Sequence, residues 1–181
     1  MNVAVFCGSS MPRDERFQTA AADLGCLLAA AGHTLVYGGS NLGLMGVVSS
    51  SAMHEGGRVV AVIPTLFPEE VIQSQQVSQI IRVKSMAERK ERIIALCDAF
   101  VALPGGIGTL DELFEVAVAN QLRRFGPHAD CPAKPMLLLN MAGFYNPLLS
   151  QLDVMRQANL LHGDTGLHSV GSVAELMNLL R

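Results

Sequence analysis

Short apolar runs alternate along this chain with longer stretches of helical spacing. The run Asn2–Phe6 ends at a glycine-containing turn and is followed by an Ala/Leu-rich stretch, Arg16–Ala31, that Gly32 closes. Further strands are predicted at Thr34–Tyr37, Arg58–Ile63, Ile80–Val83, Ala99–Leu103 and Met136–Asn140, and further helices at Leu44–Glu55, Met86–Cys97, Leu110–Leu122 and Tyr145–Ala158. Because the strands are apolar on both faces, the pattern predicts an α/β fold, a doubly wound, Rossmann-like parallel sheet with helices on both faces.

The size and composition of the chain narrow its class. At 181 residues and 19.3 kDa it is near the size of one domain, so we predict that residues 1–181 form a single α/β domain. Half of the residues are apolar and 16% are charged, which excludes a disordered polyelectrolyte and favours a self-associating globular protein. A net charge of −3 offers no broad basic face, so nucleic-acid binding is not expected.

The N-terminus and the cysteines indicate a cellular location. The N-terminal sequence has no basic stretch before its short apolar run, and no later run stays apolar for the ~18 residues of a membrane span. We therefore expect neither an export signal nor a membrane anchor. The cysteines form no CxxC pair and lie in or beside apolar runs, which favours reduced thiols over disulfides or a zinc cluster; they are Cys7, Cys26, Cys97 and Cys131. Together these features predict a cytoplasmic protein.

Two stretches interrupt the alternation of strands and helices. Pro64–Gln79 and Arg123–Pro135 are rich in proline or polar residues and follow neither period, so we predict loops over a site or an interface. After the second of them, Ser172–Leu180 is predicted as a last helix, because Ser172 and Glu175 form a capping box before an apolar stripe.

Glycine-rich turns follow three of the predicted strands. These turns are Gly8-Ser9-Ser10, Gly38-Gly39-Ser40 with Gly43 and Gly46, and the segment from Pro104 to Thr109. The carboxyl ends of parallel strands meet at one sheet edge, where clustered N–H groups and helix N-termini suit a phosphate. Any one of these turns is equally well explained as a tight connection, but the three together favour a ligand such as a nucleotide monophosphate. The dinucleotide fingerprint after the first strand and the Walker A sequence are both absent, which argues against NAD binding and ATP hydrolysis.

Charged residues near two helix starts have two interpretations each. Arg89 and Lys90 lie in the first turn of a predicted helix that Ser85 and Glu88 cap, and cations there oppose the helix dipole unless an anion binds nearby. The alternative is that Arg89 and Lys90 are exposed and that neighbouring glutamates offset their positive charge. Glu112 completes a capping box with Thr109, but it is also placed to face the sugar of a bound nucleotide. The histidines show no ligand spacing, and His128 with Cys131 is an isolated pair, so no metal site is predicted.

The segment PGGIGTLDE at 104–112 matches the PGGxGTxxE motif of the LOG family, the cytokinin riboside 5′-monophosphate phosphoribohydrolases. VFCGSS at 5–10, GGSNLGLMG at 38–46 and MAERK at 86–90 resemble the other signatures of the family in order and spacing. The similarity extends from the first strand to about Leu160. Proteins of this kind were often labelled lysine decarboxylases, a label that the three lysines of this chain do not support.

The resemblance implies that the domain binds a nucleoside 5′-monophosphate and hydrolyses its N-glycosidic bond, releasing an adenine-type base and ribose 5-phosphate. Water is the second substrate, and neither a cofactor nor a metal is implied. By carry-over onto matching positions, Arg89 and Glu112 are the catalytic pair. The substrate-binding residues that it implies are Gly8, Ser9, Lys90, Gly105, Gly106, Gly108 and Thr109. The resemblance also implies a homodimer with the site near the subunit contact.

Cleavage of a glycosidic bond builds positive charge on the ribose, and a carboxylate near C1′ stabilises that charge and orients the attacking water. We assign this role to Glu112. Arg89 is too basic to be a convincing proton donor, so three roles stay open for it: to bind the phosphate, to bind the ribose hydroxyls, or to stabilise the electron density on the departing base. The chain departs from the family pattern at Ala87, Gln75 and Asn120. The preferred base of the substrate therefore stays open, with isopentenyladenine and adenine as the two alternatives. The competing hypotheses are a non-catalytic nucleotide or cofactor carrier and a protein-interaction module.

Overall fold

The computed structural model describes residues 1–68, 70, 72, 77–125 and 132–180. Within these ranges the strands are β1 (Asn2–Phe6), β2 (Thr34–Tyr37), β3 (Val59–Pro64), β4 (Gln79–Val83), β5 (Ala99–Ala102), β6 (Met136–Leu139) and β7 (Leu167–Val170). The helices are α1 (Glu15–Ala30), α2 (Gly43–His54), α3 (Met86–Leu96), α4 (Ile107–Leu122), α5 (Asn146–Gln157) and α6 (Val173–Leu179). The alternation predicted from the sequence is therefore present.

The strands form one sheet in the order β4-β3-β2-β1-β5-β6-β7, and every neighbouring pair is parallel. The chain moves outwards from β1 to β4 and then returns to the other side of β1 with β5. The strand order thus reverses between β1 and β5, which is the point where open α/β sheets bind ligands.

Helices cover both faces of the sheet, as predicted. On one face α1, α2 and α6 pack Leu24, Val48 and Leu176 against strand residues such as Val101. On the other face α3 and α4 contribute Ile93 and Val116, and partly buried leucines of α5 complete the layer. Strand β3, the second strand from one edge of the sheet, has the sequence VVAVIP and is buried along its whole length, as expected for a strand covered on both sides.

Side-chain caps fix several helix starts. Asp14 accepts a hydrogen bond from the backbone N–H of Arg16 at the start of α1. Ser85 and Ser172 accept bonds from the N–H groups of Glu88 and Glu175, so both predicted serine caps are confirmed. The side chains of these two glutamates accept hydrogen bonds from the backbone N–H groups of Lys84 and Gly171, the residues just before the serines, rather than from the serines themselves.

The sequence pattern missed strand β7 and misplaced the start of α4. β7 pairs with β6 at the edge of the sheet, and the side chains of His168 and Ser169 are exposed, so the strand carries no continuous apolar run. Helix α4 begins at Ile107 rather than Leu110, because Gly106 is its N-cap. The other predicted boundaries agree with the structure to within one residue.

Some sequence predictions fall on residues outside the described ranges. These are the substituted position Gln75, the isolated pair His128 and Cys131, and parts of the two predicted loops. Within the described ranges, no helix is long and apolar enough to cross a lipid bilayer.

Candidate active site

The ends of β1 and β5 lie side by side at the carboxyl edge of the sheet. Phe6 pairs in register with Ala102, and the Leu103 N–H donates a 2.9 Å hydrogen bond to the Phe6 carbonyl. One step further, the Gly8 N–H donates to the carbonyl of Pro104 at 3.3 Å. This ladder brings the first and third glycine-rich turns together where the strand order reverses.

Close packing of these turns requires glycine at two positions. A Cβ on Gly105 would overlap the Thr109 side chain and lie 3.0 Å from the backbone nitrogen of Gly8. Gly43 has a φ of +56°, and a Cβ there would overlap the backbone of Ser9. The Leu44 N–H also donates to the Gly8 carbonyl at 3.0 Å, so the start of α2 holds the first turn in place.

A cavity of about 740 Å³ opens above this edge of the sheet. Its walls include most of the residues predicted for the site, namely Gly8, Ser9, Arg89, Gly105, Gly106, Gly108, Thr109 and Glu112. The second glycine turn contributes Gly38 and Ser40, and the loop after β3 contributes Phe67 and Pro68. The volume falls within the range of ordinary small-molecule sites.

The first turn of α4 provides backbone donors at this cavity. Its N-cap is Gly106, and within the described residues no side chain caps the helix. The first N–H groups of a helix have no partner inside the helix and carry its positive dipole end. Gly106 and Gly108 leave this turn open, since a Cβ on either would meet no described atom within 4 Å. The turn is therefore suited to an anion such as phosphate.

The structure rules out the capping interpretation of Glu112. Because α4 begins at Ile107, Thr109 and Glu112 both lie inside the helix rather than at its N-cap. The side chain of Glu112 turns instead towards α3, where its Oε1 atom lies 2.8 Å from Nη2 of Arg89. Both residues are only 8% exposed, and both line the cavity.

Helix α3 and the second glycine turn place the guanidinium of Arg89. The side chain leaves the first turn of α3 with Nη1 3.7 Å from the sulfur of Met86. The guanidinium then lies over Gly38, where a Cβ would overlap Nη2 and lie 3.1 Å from Cζ. Gly38 therefore provides the space in which Arg89 meets Glu112. The sequence pattern marks Gly38 only as part of a turn, because its contact with Arg89 joins distant parts of the chain.

The buried pair keeps unused hydrogen-bonding capacity. The contact between Arg89 and Glu112 is close, but it is not aligned as a hydrogen bond, so Oε1 has no hydrogen-bond partner among the described residues. The same holds for Nε of Arg89. Buried polar atoms are normally satisfied, and those left over in a cavity wall are positioned for a ligand.

Burial also changes the acidity of the carboxyl group. It raises the pKa of Glu112 from its ordinary value of 4.5 to about 7, while the neighbouring Arg89 opposes that rise. Glu112 therefore exchanges its proton near neutral pH, as a group that assists proton transfer should. Perturbed acidity in a cavity wall is typical of functional sites.

Lys90 is the predicted site residue that the structure places elsewhere. It does not line the cavity formed by the described residues. Its ammonium lies 3.0 Å from Asp111 and 2.8 Å from Glu115, both on α4. The predicted contact of Lys90 with substrate thus remains a prediction, and the structure shows a different set of partners.

Two of the positions at which this chain departs from the family pattern also do not line the cavity. Ala87 is exposed on α3. Asn120 is buried, donates to the carbonyls of Lys134 and Thr165 at 2.9 and 2.8 Å, and accepts from the Lys134 N–H at 3.0 Å. Asn120 therefore joins α4 to the segments before β6 and β7 and has a structural function.

Several apolar residues of the cavity were not selected from the sequence. Phe17 and Phe144 meet edge to face with ring centroids 5.6 Å apart, and both line the cavity. The thiol of Cys7 contributes to the wall, and burial raises its pKa far above the ordinary value. Because Cys7, Phe17 and Phe144 come from separate segments of the chain, no local pattern marks them as neighbours.

Comparison with known proteins places the chain in a family. The family model described as "Possible lysine decarboxylase" matches residues 45–179. A cytokinin riboside 5′-monophosphate phosphoribohydrolase of Oryza sativa subsp. japonica is 47% identical over 154 residues, which are 84% of this chain and 60% of that protein. An Arabidopsis thaliana protein of the same name is 39% identical over 180 residues, which are 99% of this chain and 80% of that protein. The chain thus spans about three fifths of the rice relative.

A solved structure supports the fold. The molybdenum cofactor carrier protein of Chlamydomonas reinhardtii superposes with a TM-score of 0.68 at 26% identity, over 99% of this chain and 94% of that one. The similarity includes the doubly wound sheet predicted from the sequence. On the family match and the Arabidopsis relative, this chain belongs to the LOG family.

Proposed function

We propose that this protein hydrolyses the N-glycosidic bond of nucleoside 5′-monophosphates to free base and ribose 5-phosphate, with residues 1–181 acting as one nucleotide-binding domain. The observation that carries the proposal is the buried pair of Arg89 and Glu112 in the wall of a cavity whose floor is a helix N-terminus. The names of the rice and Arabidopsis relatives describe the same reaction.

The phosphate binds at the start of α4. Gly105, Gly106, Gly108 and Thr109 line this part of the cavity, and Gly8 and Ser9 lie beside them. Backbone N–H groups hold the phosphate oxygens there, since the helix has no side-chain cap within the described residues. Binding of this remote group supplies energy that positions the ribose, so a nucleoside without phosphate reacts poorly.

Glu112 acts at the reacting carbon. As the bond between C1′ and the base nitrogen breaks, its electron pair leaves with the base and positive charge develops on the ribose ring. The ionised carboxylate stabilises that charge and orients a water molecule, whose oxygen bonds to C1′. One water proton passes through the carboxylate to the departing base, and the other remains on the new hydroxyl group.

Arg89 keeps Glu112 available for this chemistry. Its positive charge opposes the rise of the Glu112 pKa that burial causes, so part of the carboxyl population is ionised at neutral pH. The unpartnered Nε and the Nη1 group are donors for the phosphate, the ribose hydroxyls or the departing base. The apolar cavity residues accommodate a purine, either adenine or an isopentenyladenine-type base.

The function is tested by incubating the protein with AMP and with an isopentenyladenine ribotide and by following free base with chromatography. The wild-type protein and the Glu91→Gln variant, in which an exposed glutamate of α3 is changed, are expected to release base. Glu112→Gln is expected to bind the ribotide without releasing base. A Glu112→Gln variant with wild-type turnover would contradict the mechanism.

The carrier hypothesis makes a different prediction in the same experiment. The name of the Chlamydomonas protein describes a cofactor carrier, and its fold is shared. A carrier binds a nucleotide or cofactor without cleaving it, so calorimetry shows binding while no base appears with wild-type protein. A protein-interaction module shows neither nucleotide binding nor base release. Base release that depends on Glu112 excludes both.

We further propose that the protein is a homodimer formed across the outer face of α4. Exposed apolar side chains repeat along this face at helical spacing and continue past the end of the helix; they are Ile107, Phe114, Val118, Leu122 and Phe125. A stripe of this length favours a second copy of the chain, as the family resemblance implies. Leu122→Glu is expected to convert the dimer to a monomer in analytical ultracentrifugation, and a wild-type monomer would contradict the proposal.

The location proposed is the cytoplasm. Cys7, Cys26 and Cys97 are free cysteines, and Cys7 and Cys97 are buried. Burial raises the pKa of Cys97 to about 12 and so keeps it as an unreactive thiol. Fractionation of cells that express the tagged protein tests this proposal.

A further inference from the structure

Residues adjacent to the catalytic pair form a second contact between the same two helices. Lys90 follows Arg89 on α3, and Asp111 precedes Glu112 on α4. The Nζ atom of Lys90 donates to Oδ1 of Asp111 at 3.0 Å and to Oε2 of Glu115, one turn further along α4, at 2.8 Å. We call Lys90, Asp111 and Glu115 the lysine clamp.

The charge of the clamp is unfavourable for a phosphate. With all three groups ionised, one ammonium and two carboxylates carry a net charge of −1, so a nearby phosphate dianion is repelled. The Lys90 side chain is 16% exposed and does not line the cavity, whereas the two carboxylates are about half-exposed. Hydrogen bonds from Lys90 to Glu115 and Asp111 raise its pKa, so both contacts hold the cation in place.

We propose that Lys90 is a positioning residue, which holds α3 against α4 so that Arg89 meets Glu112. Two partners one helical turn apart restrain both the sliding and the rotation of α3 relative to α4. This inference rests on the proposed function, and it assigns Lys90 a different part in it from direct contact with substrate. Both carboxylates of the clamp are about half-exposed. Ion pairs with solvated partners contribute little to stability, so we expect the clamp to act on the geometry of the site more than on the stability of the fold.

The proposal predicts a separation of kcat from KM. Lys90→Met is expected to lower kcat about 10- to 100-fold, since small misplacements of catalytic groups have effects of this size. KM for the ribotide should stay close to the wild-type value, and Lys90→Arg, which keeps a cation of similar reach, should retain most of kcat. A rise in KM with unchanged kcat would instead identify Lys90 as a substrate ligand and overturn the proposal.

A second variant keeps the cation and removes its partners. Asp111→Asn combined with Glu115→Gln changes two half-exposed side chains, so the fold is retained. If Lys90 acts through these carboxylates, kcat falls as it does in Lys90→Met. If Lys90 binds phosphate, the freed ammonium preserves turnover and binding, and the proposal is wrong.

A readout without substrate separates this inference from the proposed function. If wild-type protein releases no base from either ribotide, the hydrolase function fails, and the clamp is then tested by ¹⁵N NMR of ligand-free protein. Hydrogen exchange at Nε of Arg89 is expected to accelerate at least about tenfold in Lys90→Met and in the double variant Asp111→Asn with Glu115→Gln. The reason is that the buried contact between Arg89 and Glu112 opens more often in both variants. Lys90→Arg should retain the wild-type rate. Unchanged exchange in both clamp variants would overturn the inference.

Discussion

Because burial raises the pKa of Glu112 towards neutrality, we expect both the proposed catalysis and the stability of the fold to depend on pH in that range. The pKa of this carboxyl is raised from 4.5 to about 7, chiefly by burial against the opposing effect of Arg89. The ionised form carries the proposed catalysis, so roughly half of the molecules are active at pH 7 and about a tenth at pH 6. We therefore expect kcat/KM to rise up to tenfold per pH unit below 7 and to level off above about pH 8.

The same shift has a defined effect on folding. Since the folded state binds the Glu112 proton more tightly than the unfolded state, this group favours folding below pH 4.5. That contribution is lost as the pH rises from 4.5 to about 7. The difference between the two pKa values corresponds to about 3 kcal/mol in the free energy of unfolding. Above about pH 8 the contribution of this group becomes constant.

Two measurements check this reasoning. The first is base release from pH 5 to 9 with AMP as substrate. The second is urea unfolding of ligand-free wild-type and Glu112→Gln protein over the same range, which separates Glu112 from the titration of the substrate phosphate. Between pH 5 and 7.5 the wild-type protein should lose about 2 to 3 kcal/mol relative to the variant. Base release that hardly changes between pH 5 and 9, together with a pH-independent stability difference, would refute the burial argument.

Two further predictions concern residues around the pair. Gly38→Ala is expected to displace the guanidinium of Arg89 and to lower kcat about 100-fold with little change in Tm. The matched Gly171→Ala variant, at a glycine that does not line the cavity, should keep wild-type turnover. Equal activity of the two variants would show that Gly38 does not position Arg89. Asn120→Ala removes three buried hydrogen bonds and is expected to lower the free energy of unfolding by about 2–4 kcal/mol in urea titrations, with little effect on KM. A loss below about 1 kcal/mol would contradict the structural function of Asn120.

The layout of the sheet was largely readable from the sequence. Buried strands such as VVAVIP and the glycine turns after them identify a parallel sheet and its ligand-binding edge, because burial on both faces and tight turns each leave a local signature. Strand β7 left no such signature, since its central residues, His168 and Ser169, are exposed at the sheet edge. Its place is set by pairing with β6, a contact that no local pattern encodes.

Most of the residues predicted for the site line the cavity, but their arrangement could not be predicted from the sequence. The motif TLDE fits a helix cap as well as a catalytic carboxylate, and only the start of α4 at Ile107 excludes the cap. Arg89 and Lys90 of α3 were likewise ambiguous. Arg89 turns into the cavity, whereas Lys90 turns to carboxylates on a neighbouring helix, and that difference depends on how α3 packs against α4.

The central claim is that Glu112 faces the C1′ atom of a ribotide whose phosphate is held at the start of α4. A crystal structure of the Glu112→Gln variant with an isopentenyladenine ribotide measures this directly. We expect the phosphate within hydrogen-bond distance of the N–H groups that begin α4 and the substituted side chain beside C1′. A phosphate bound elsewhere, or a ribose turned away from Arg89 and position 112, would contradict the proposed hydrolase mechanism.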